Sequence, residues 1–88
     1  MIKKQVMVNI LEGREDRPIA KLVQVTNNYK SRIYFLEPEN NRRINGKSMM
    51  GMMTLALYPG EPVTVEVDGE DEKEAMEGIE NYLTGQGK

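Results

Sequence analysis

The chain has 88 residues, a net charge of -2, 39% hydrophobic and 30% charged residues, and neither cysteine nor histidine. Those values describe one small folded domain rather than a disordered segment, and they disfavour direct nucleic-acid binding, which wants a basic face. They also rule out disulfides, thiolate chemistry and any Ser-His-Asp or Cys-His catalysis, and leave zinc without its usual ligands.

The residues "KQVMVNI" alternate, with Val6, Val8 and Ile10 on one face and Gln5, Met7 and Asn9 on the other. Period-2 alternation predicts a half-buried strand. After Gly13 the period changes. Ile19, Leu22, Val23 and Thr26 recur at helical spacing, with Pro18 in the first turn and Asp16 placed to cap it. "NNYK" closes that helix. "SRIYFLE" predicts a second strand with Ile33 and Phe35 facing one way, "PENN" a hairpin connection, and "RRI" a short return strand.

In "NGKSMMGMMTLAL", Asn-Gly predicts a turn and Ser48 an N-cap for a short helix, which "YPGEP" then breaks. "VTVEVDG" is the clearest strand, with Val63, Val65 and Val67 facing in and Thr64 and Glu66 facing out. "EDEKEAMEGIENYL" predicts an amphipathic helix with Ala75, Met76, Ile79, Tyr82 and Leu83 as its stripe. Acidic residues load its start, as the helix dipole favours, and otherwise form a solvated face. The tail "TGQGK" is expected to fray. The order β-α-β-β-α-β-α predicts an α+β fold: one antiparallel sheet, helices on a single face, and a single domain over residues 1–88. No stretch has the length and apolarity of a membrane span or a signal peptide.

These residues resemble the HPr family of the bacterial sugar phosphotransferase system, over nearly the whole chain and in order. The resemblance rests on Gly13 with Arg17-Pro18, on the block Lys47-Ser48-x-Met50-Gly51-x-Met53, and on Asp68-Gly69 before the last helix. It implies an open-faced β-sandwich, a four-stranded antiparallel sheet covered by three helices. Family members carry phosphate on a histidine in a Gly-x-His-x-Arg-Pro pattern. Aligned on Gly13 and Arg17-Pro18, that position is Glu15 here, followed by Asp16. The resemblance is therefore to the catabolite-repression HPr-like paralogues, which also lack the active histidine.

Two readings of Glu15 and Asp16 follow. They imitate the charge of a phosphorylated carrier at a helix start that favours anions, with Arg17 beside them, or Asp16 merely caps the helix. The serine matching Ser48 is phosphorylated in Gram-positive members by HPr kinase/phosphorylase, so Ser48 is either a regulatory site or only an N-cap. Met49, Met50 and Met53 are expected to form an exposed apolar patch, with Met52 and Leu55 turned to the core; the alternative is a Met-rich core helix. Arg17, Lys21 and Gln24 on the first helix are expected to frame that patch, Lys21 being an extension beyond the family's pattern, and Lys47 is expected to bind partners with it. The resemblance implies a cytoplasmic regulator without enzymatic activity, cofactor or metal. Its implied partners are HPr kinase/phosphorylase, a LacI-type catabolite control regulator and the first enzyme of the phosphotransferase system. A competitive decoy of those partners, or an atypical carrier using Glu15 or Asp16, are the other readings.

Overall fold

A computed structural model describes residues 1–9, 18–37, 42–55 and 60–85. The elements run β1 (Ile2–Met7), α1 (Pro18–Thr26), β2 (Arg32–Leu36), β3 (Arg43–Asn45), α2 (Met49–Met52), β4 (Pro62–Asp68) and α3 (Glu72–Leu83). Ile10, the "PENN" connection and the last three residues of the tail lie outside the described residues.

The four strands form one antiparallel sheet in the order β1-β4-β2-β3. The register follows from the alternation read in the sequence. Val6 pairs with Val63, and Ile33 and Phe35 pair with Val67 and Val65, so the apolar side chains of three strands share one face. Ile44 stands opposite Phe35 and extends that face to β3. The predicted first strand starts earlier than the alternation shows, because the paired residues reach back to Ile2. Beyond Met7 the ladder continues for one residue: the Val8 N–H donates to Glu61 O, and Gly60 N–H donates to Val8 O.

The helices cover the apolar face. Leu22, Val23 and Thr26 of α1, Met52 of α2, and Ala75, Met76, Ile79 and Leu83 of α3 are buried against the sheet's valines, Ile33 and Phe35. Burying each large apolar side chain contributes about 1.5–3 kcal/mol. Tyr82, predicted as part of the α3 stripe, packs partly buried at its margin.

The acidic face of the last helix is less solvated than the sequence predicts. The Asp71 carboxylate does not cap α3. It accepts from the Lys30 N–H at 2.8 Å, from the Ser31 N–H at 2.9 Å and from the Ser31 hydroxyl. Those donors, the Ser31 hydroxyl foremost and then the Lys30 N–H, hold its carboxyl below the ordinary carboxylate value. Asp71 thereby ties the start of α3 to the entry of β2. Glu72 accepts from the Gly69 N–H, and Glu80 pairs with Lys4 of β1 at 2.8 Å. Glu74 and Glu77 remain exposed, as predicted.

Candidate functional site

The segment following β3 builds the site. The Asn45 carbonyl accepts from the Ser48 N–H, and the Asn45 side chain accepts from the Lys47 N–H at 3.0 Å, which folds residues 45–48 into a tight turn. Gly46 lies at the bottom of that turn. Its N–H donates to Ile33 O, and a Cβ placed there would stand 2.9 Å from side-chain carbons of both Ile33 and Phe35. Only glycine lets the backbone pass this close to the core.

Ser48 then caps α2. Its backbone is extended, with φ -98 and ψ 116, and its hydroxyl oxygen accepts from the Gly51 N–H at 3.2 Å. The cap fixes the helical phase. Successive residues turn by about 100°, so Met50 and Met53 lie on the side away from the core, Met52 faces the core, and Met49, about 60° from Met52, sits at the boundary. Met50 is 82% exposed, Met53 71% and Met49 41%, while Met52 is fully buried. Three thioethers therefore stand on the surface immediately after a half-buried serine. Thr54 closes the short helix by donating to Gly51 O, and Arg42 donates to the Thr54 hydroxyl.

The C-terminal end of α1 holds the turn before Ser48. The buried Thr26 hydroxyl lies 2.7 Å from Gly46 O and 2.9 Å from Val23 O. The Asn27 amide donates to Val23 O and, at 3.4 Å, reaches Lys47 O. The Lys47 ammonium donates to Tyr29 O. The cation beside Ser48 is thus engaged with the exit of α1 rather than projecting free into solvent. Thr26 and Asn27 escaped the sequence reading as site-positioning groups. The one signal was a hydroxyl placed within the apolar stripe of α1, where a partner is needed.

Lys21 and Gln24 are exposed on α1, which packs against α2. Glu15, Asp16 and Arg17 lie outside the described residues. Among the described residues no group of three or more acidic, His or Cys side chains is placed to hold a metal ion, and no helix is long and apolar enough to cross a membrane.

The opposite face of the sheet carries charge instead of thioethers. There Glu66 of β4, with only 13% of its side chain exposed, lies between Arg43 of β3 at 3.3 Å and Lys3 of β1 at 3.7 Å. Arg43 also stacks over the Tyr34 ring, 4.3 Å from its centroid. The sequence predicted Glu66 as simply outward-facing. Its burial follows from basic residues on both flanking sides, which the linear pattern does not display.

The family model for the PTS HPr component phosphorylation site matches residues 2–84. The chain is 42% identical to the HPr-like protein Crh of Halalkalibacterium halodurans over 83 residues, which cover 94% of this chain and 96% of that protein. It is 40% identical to the HPr-like protein Crh of Bacillus subtilis, again covering 94% of this chain and 95% of the relative. In three dimensions it is similar to the crystal structure of the phosphocarrier protein HPr from Bacillus anthracis. The TM-score is 0.81 at 33% identity, with 93% of this chain and 95% of that chain covered. A four-stranded antiparallel sheet carrying three helices, a sequence match spanning almost every residue and relatives covered over 95–96% of their own length together make this chain a member of the HPr family of the phosphotransferase system, a family of carriers and regulators rather than enzymes.

Proposed function

We propose that this chain is a regulatory HPr-family protein that has given up phosphotransfer through histidine and works by binding partners under the control of phosphorylation at Ser48. One observation carries the reading: a chain matched over residues 2–84 to a phosphorylation-site family contains no histidine at all. Aligned on Gly13 and Arg17-Pro18, Glu15 takes the family's histidine position. A carboxylate there brings negative charge toward an incoming anionic phosphoryl group, and without a compensating cation transfer is disfavoured. The two relatives named Crh, at 42% and 40% identity, together with the 35% identical solution structure of Crh, the Bacillus subtilis catabolite repression HPr, support a regulatory role in carbon catabolite control.

Ser48 supports the rest. Its hydroxyl is half-buried at the head of α2, and three exposed methionines follow it. Phosphate on that hydroxyl adds about -1.5 to -2 charge beside an apolar surface, which alters what the surface attracts while leaving the core side of α2 untouched. Flexible, polarizable methionine suits a surface that adapts to several partners. The partners we assign are HPr kinase/phosphorylase and a LacI-type catabolite control regulator, with the first enzyme of the phosphotransferase system as a further docking partner, all in the cytoplasm.

The test offers two phosphoryl donors in parallel: phosphoenolpyruvate with the first enzyme of the system, and ATP with HPr kinase, each followed by intact mass. The expected result is phosphate from ATP alone, mapped to Ser48 and abolished in Ser48→Ala. Phosphate from phosphoenolpyruvate would mean that a carboxylate carries it and would overturn the proposal. Phosphate from neither donor would also overturn it and leave a binding-only competitor.

A further inference from the structure

The same surface has a chemical property that its docking role does not require. The chain has seven methionines and no cysteine, so the thioether is its sole sulfur chemistry. Four of the seven lie within five residues, and the fold divides them sharply: Met49, Met50 and Met53 are exposed, Met52 is fully buried and Met76 of α3 is 4% exposed. Oxygen transfer to a thioether requires the oxidant to reach the sulfur lone pair, so exposure decides which of them reacts.

We propose that Met49, Met50 and Met53 form a reversible oxidation site, at which a hydroperoxide converts the docking surface from apolar to polar and weakens partner binding. The sulfur lone pair attacks one oxygen of hydrogen peroxide and the O–O bond breaks. Proton transfer turns the departing oxygen into water. Sulfide is oxidised by two electrons to sulfoxide, and peroxide is reduced to water. Each sulfoxide replaces an apolar contact with a strong dipole and stiffens a side chain whose value to the surface is its adaptability. Methionine sulfoxide reductases reverse the change. Met52 stays reduced because it is sealed against the core, so α2 keeps its anchor while its outer surface changes. Met1 and Met7 are also exposed, but they belong to the β1 edge of the sheet, whereas α2 packs on β3 at the other edge.

The inference about partner binding rests on the docking role proposed above; the oxidation site itself does not. The folded full-length chain is treated with graded hydrogen peroxide and its peptides are mapped by mass, at about 16 Da per sulfoxide. Met50, Met53 and Met1 are expected to oxidise first and Met7 and Met49 next, with Met52 and Met76 spared until the protein unfolds. Oxidation of Met52 at the rate of Met50 would overturn the proposal. Retention on a hydrophobic-interaction matrix is then compared before oxidation, after it and after treatment with methionine sulfoxide reductases A and B. Oxidation should shorten retention of the parent protein, and repair restore it, by more than in the Met49→Leu/Met50→Leu/Met53→Leu variant, where Met1 and Met7 remain as the exposed methionines; unchanged retention, or a shift as large in that variant, would refute the loss of the apolar surface whatever any partner does. Labelling of Ser48 by ATP and HPr kinase should be lost in part on oxidation and recover on repair. In the Met49→Leu/Met50→Leu/Met53→Leu variant the labelling rate, whatever its own level, should no longer respond to peroxide. A response as large as that of the parent protein would place the effect elsewhere and overturn the proposal. Absence of labelling in the untreated protein counts against the docking role, while the mapping and retention results still decide the oxidation site.

Discussion

Replacing Thr26 by valine tests how the fold holds the turn before Ser48. The two side chains have nearly the same shape, so the change removes one hydroxyl from a fully buried position at the end of α1. Val23 O keeps other donors, the N–H and side-chain amide of Asn27. Gly46 O keeps none among the described residues, because its sole donor is the Thr26 hydroxyl at 2.7 Å. A buried acceptor left without a donor costs about 1–3 kcal/mol. Thr26→Ser is the control: it keeps the hydroxyl and loses one methyl, for about 1 kcal/mol. A domain of this size is held by roughly 4–13 kcal/mol. With an m value near 1 kcal/mol per M of urea, Thr26→Val should lower the unfolding midpoint by about 1–3 M. Thr26→Val should be the less stable of the two, and exchange of the Gly51 amide, which Ser48 caps, should quicken most in it. Equal midpoints for valine and parent protein, or a valine variant more stable than serine, would refute the assignment of Gly46 O to Thr26.

Other expectations follow from the same geometry. Gly46→Ala pushes a methyl to 2.9 Å from Ile33 and Phe35, and overpacking of this kind costs about 1–3 kcal/mol; a thermal melt should fall by about 4–8 °C for each kcal/mol. Asp71 has its carboxyl held below the ordinary value of 3.8, mainly by the Ser31 hydroxyl and then the Lys30 N–H. Its contribution is therefore fully present above the unfolded value and is lost as pH falls through the lower folded one. The stability difference between the parent protein and Asp71→Asn, read from urea midpoints across a pH series, should be constant near neutrality and shrink below pH 3.8; a difference independent of pH would count against the tie to Ser31.

Much of this architecture was legible because it repeats. Val63, Val65 and Val67 alternate, and Leu22, Val23 and Thr26 recur at helical spacing, so each element announces its buried face within a few residues. The methionine surface was legible for the same reason. Once Ser48 sets the phase of α2, Met50 and Met53 turn away from the core side that Met52 takes, with Met49 at the boundary. What escaped the sequence are single contacts between distant residues. Asp71 reads as one more acid at a helix start, yet it binds the backbone at Lys30 and Ser31. Lys47 reads as a partner-binding cation beside the methionines, yet its ammonium donates to Tyr29 O. Glu66 reads as a solvated strand residue, yet Arg43 and Lys3 enclose it. Such contacts form once per molecule and have no period, so nothing local in the chain encodes them.

The strand order has a consequence for how the chain comes into being. β1 is made first, yet its neighbour in the sheet is β4, where Ile2 meets Val67. β2 and β3 pair through a nearby connection and are ready early, but the sheet's centre is still missing at that point. β4 must enter between two edges, pairing with β1 on one side and β2 on the other. Until it does, the leading strand has no partner and the α1 stripe has only part of its floor. Synthesis that stalls before Pro62 leaves residues 1–61 without a continuous core, so completion of this fold waits on β4 and α3, which follow its other elements in the chain.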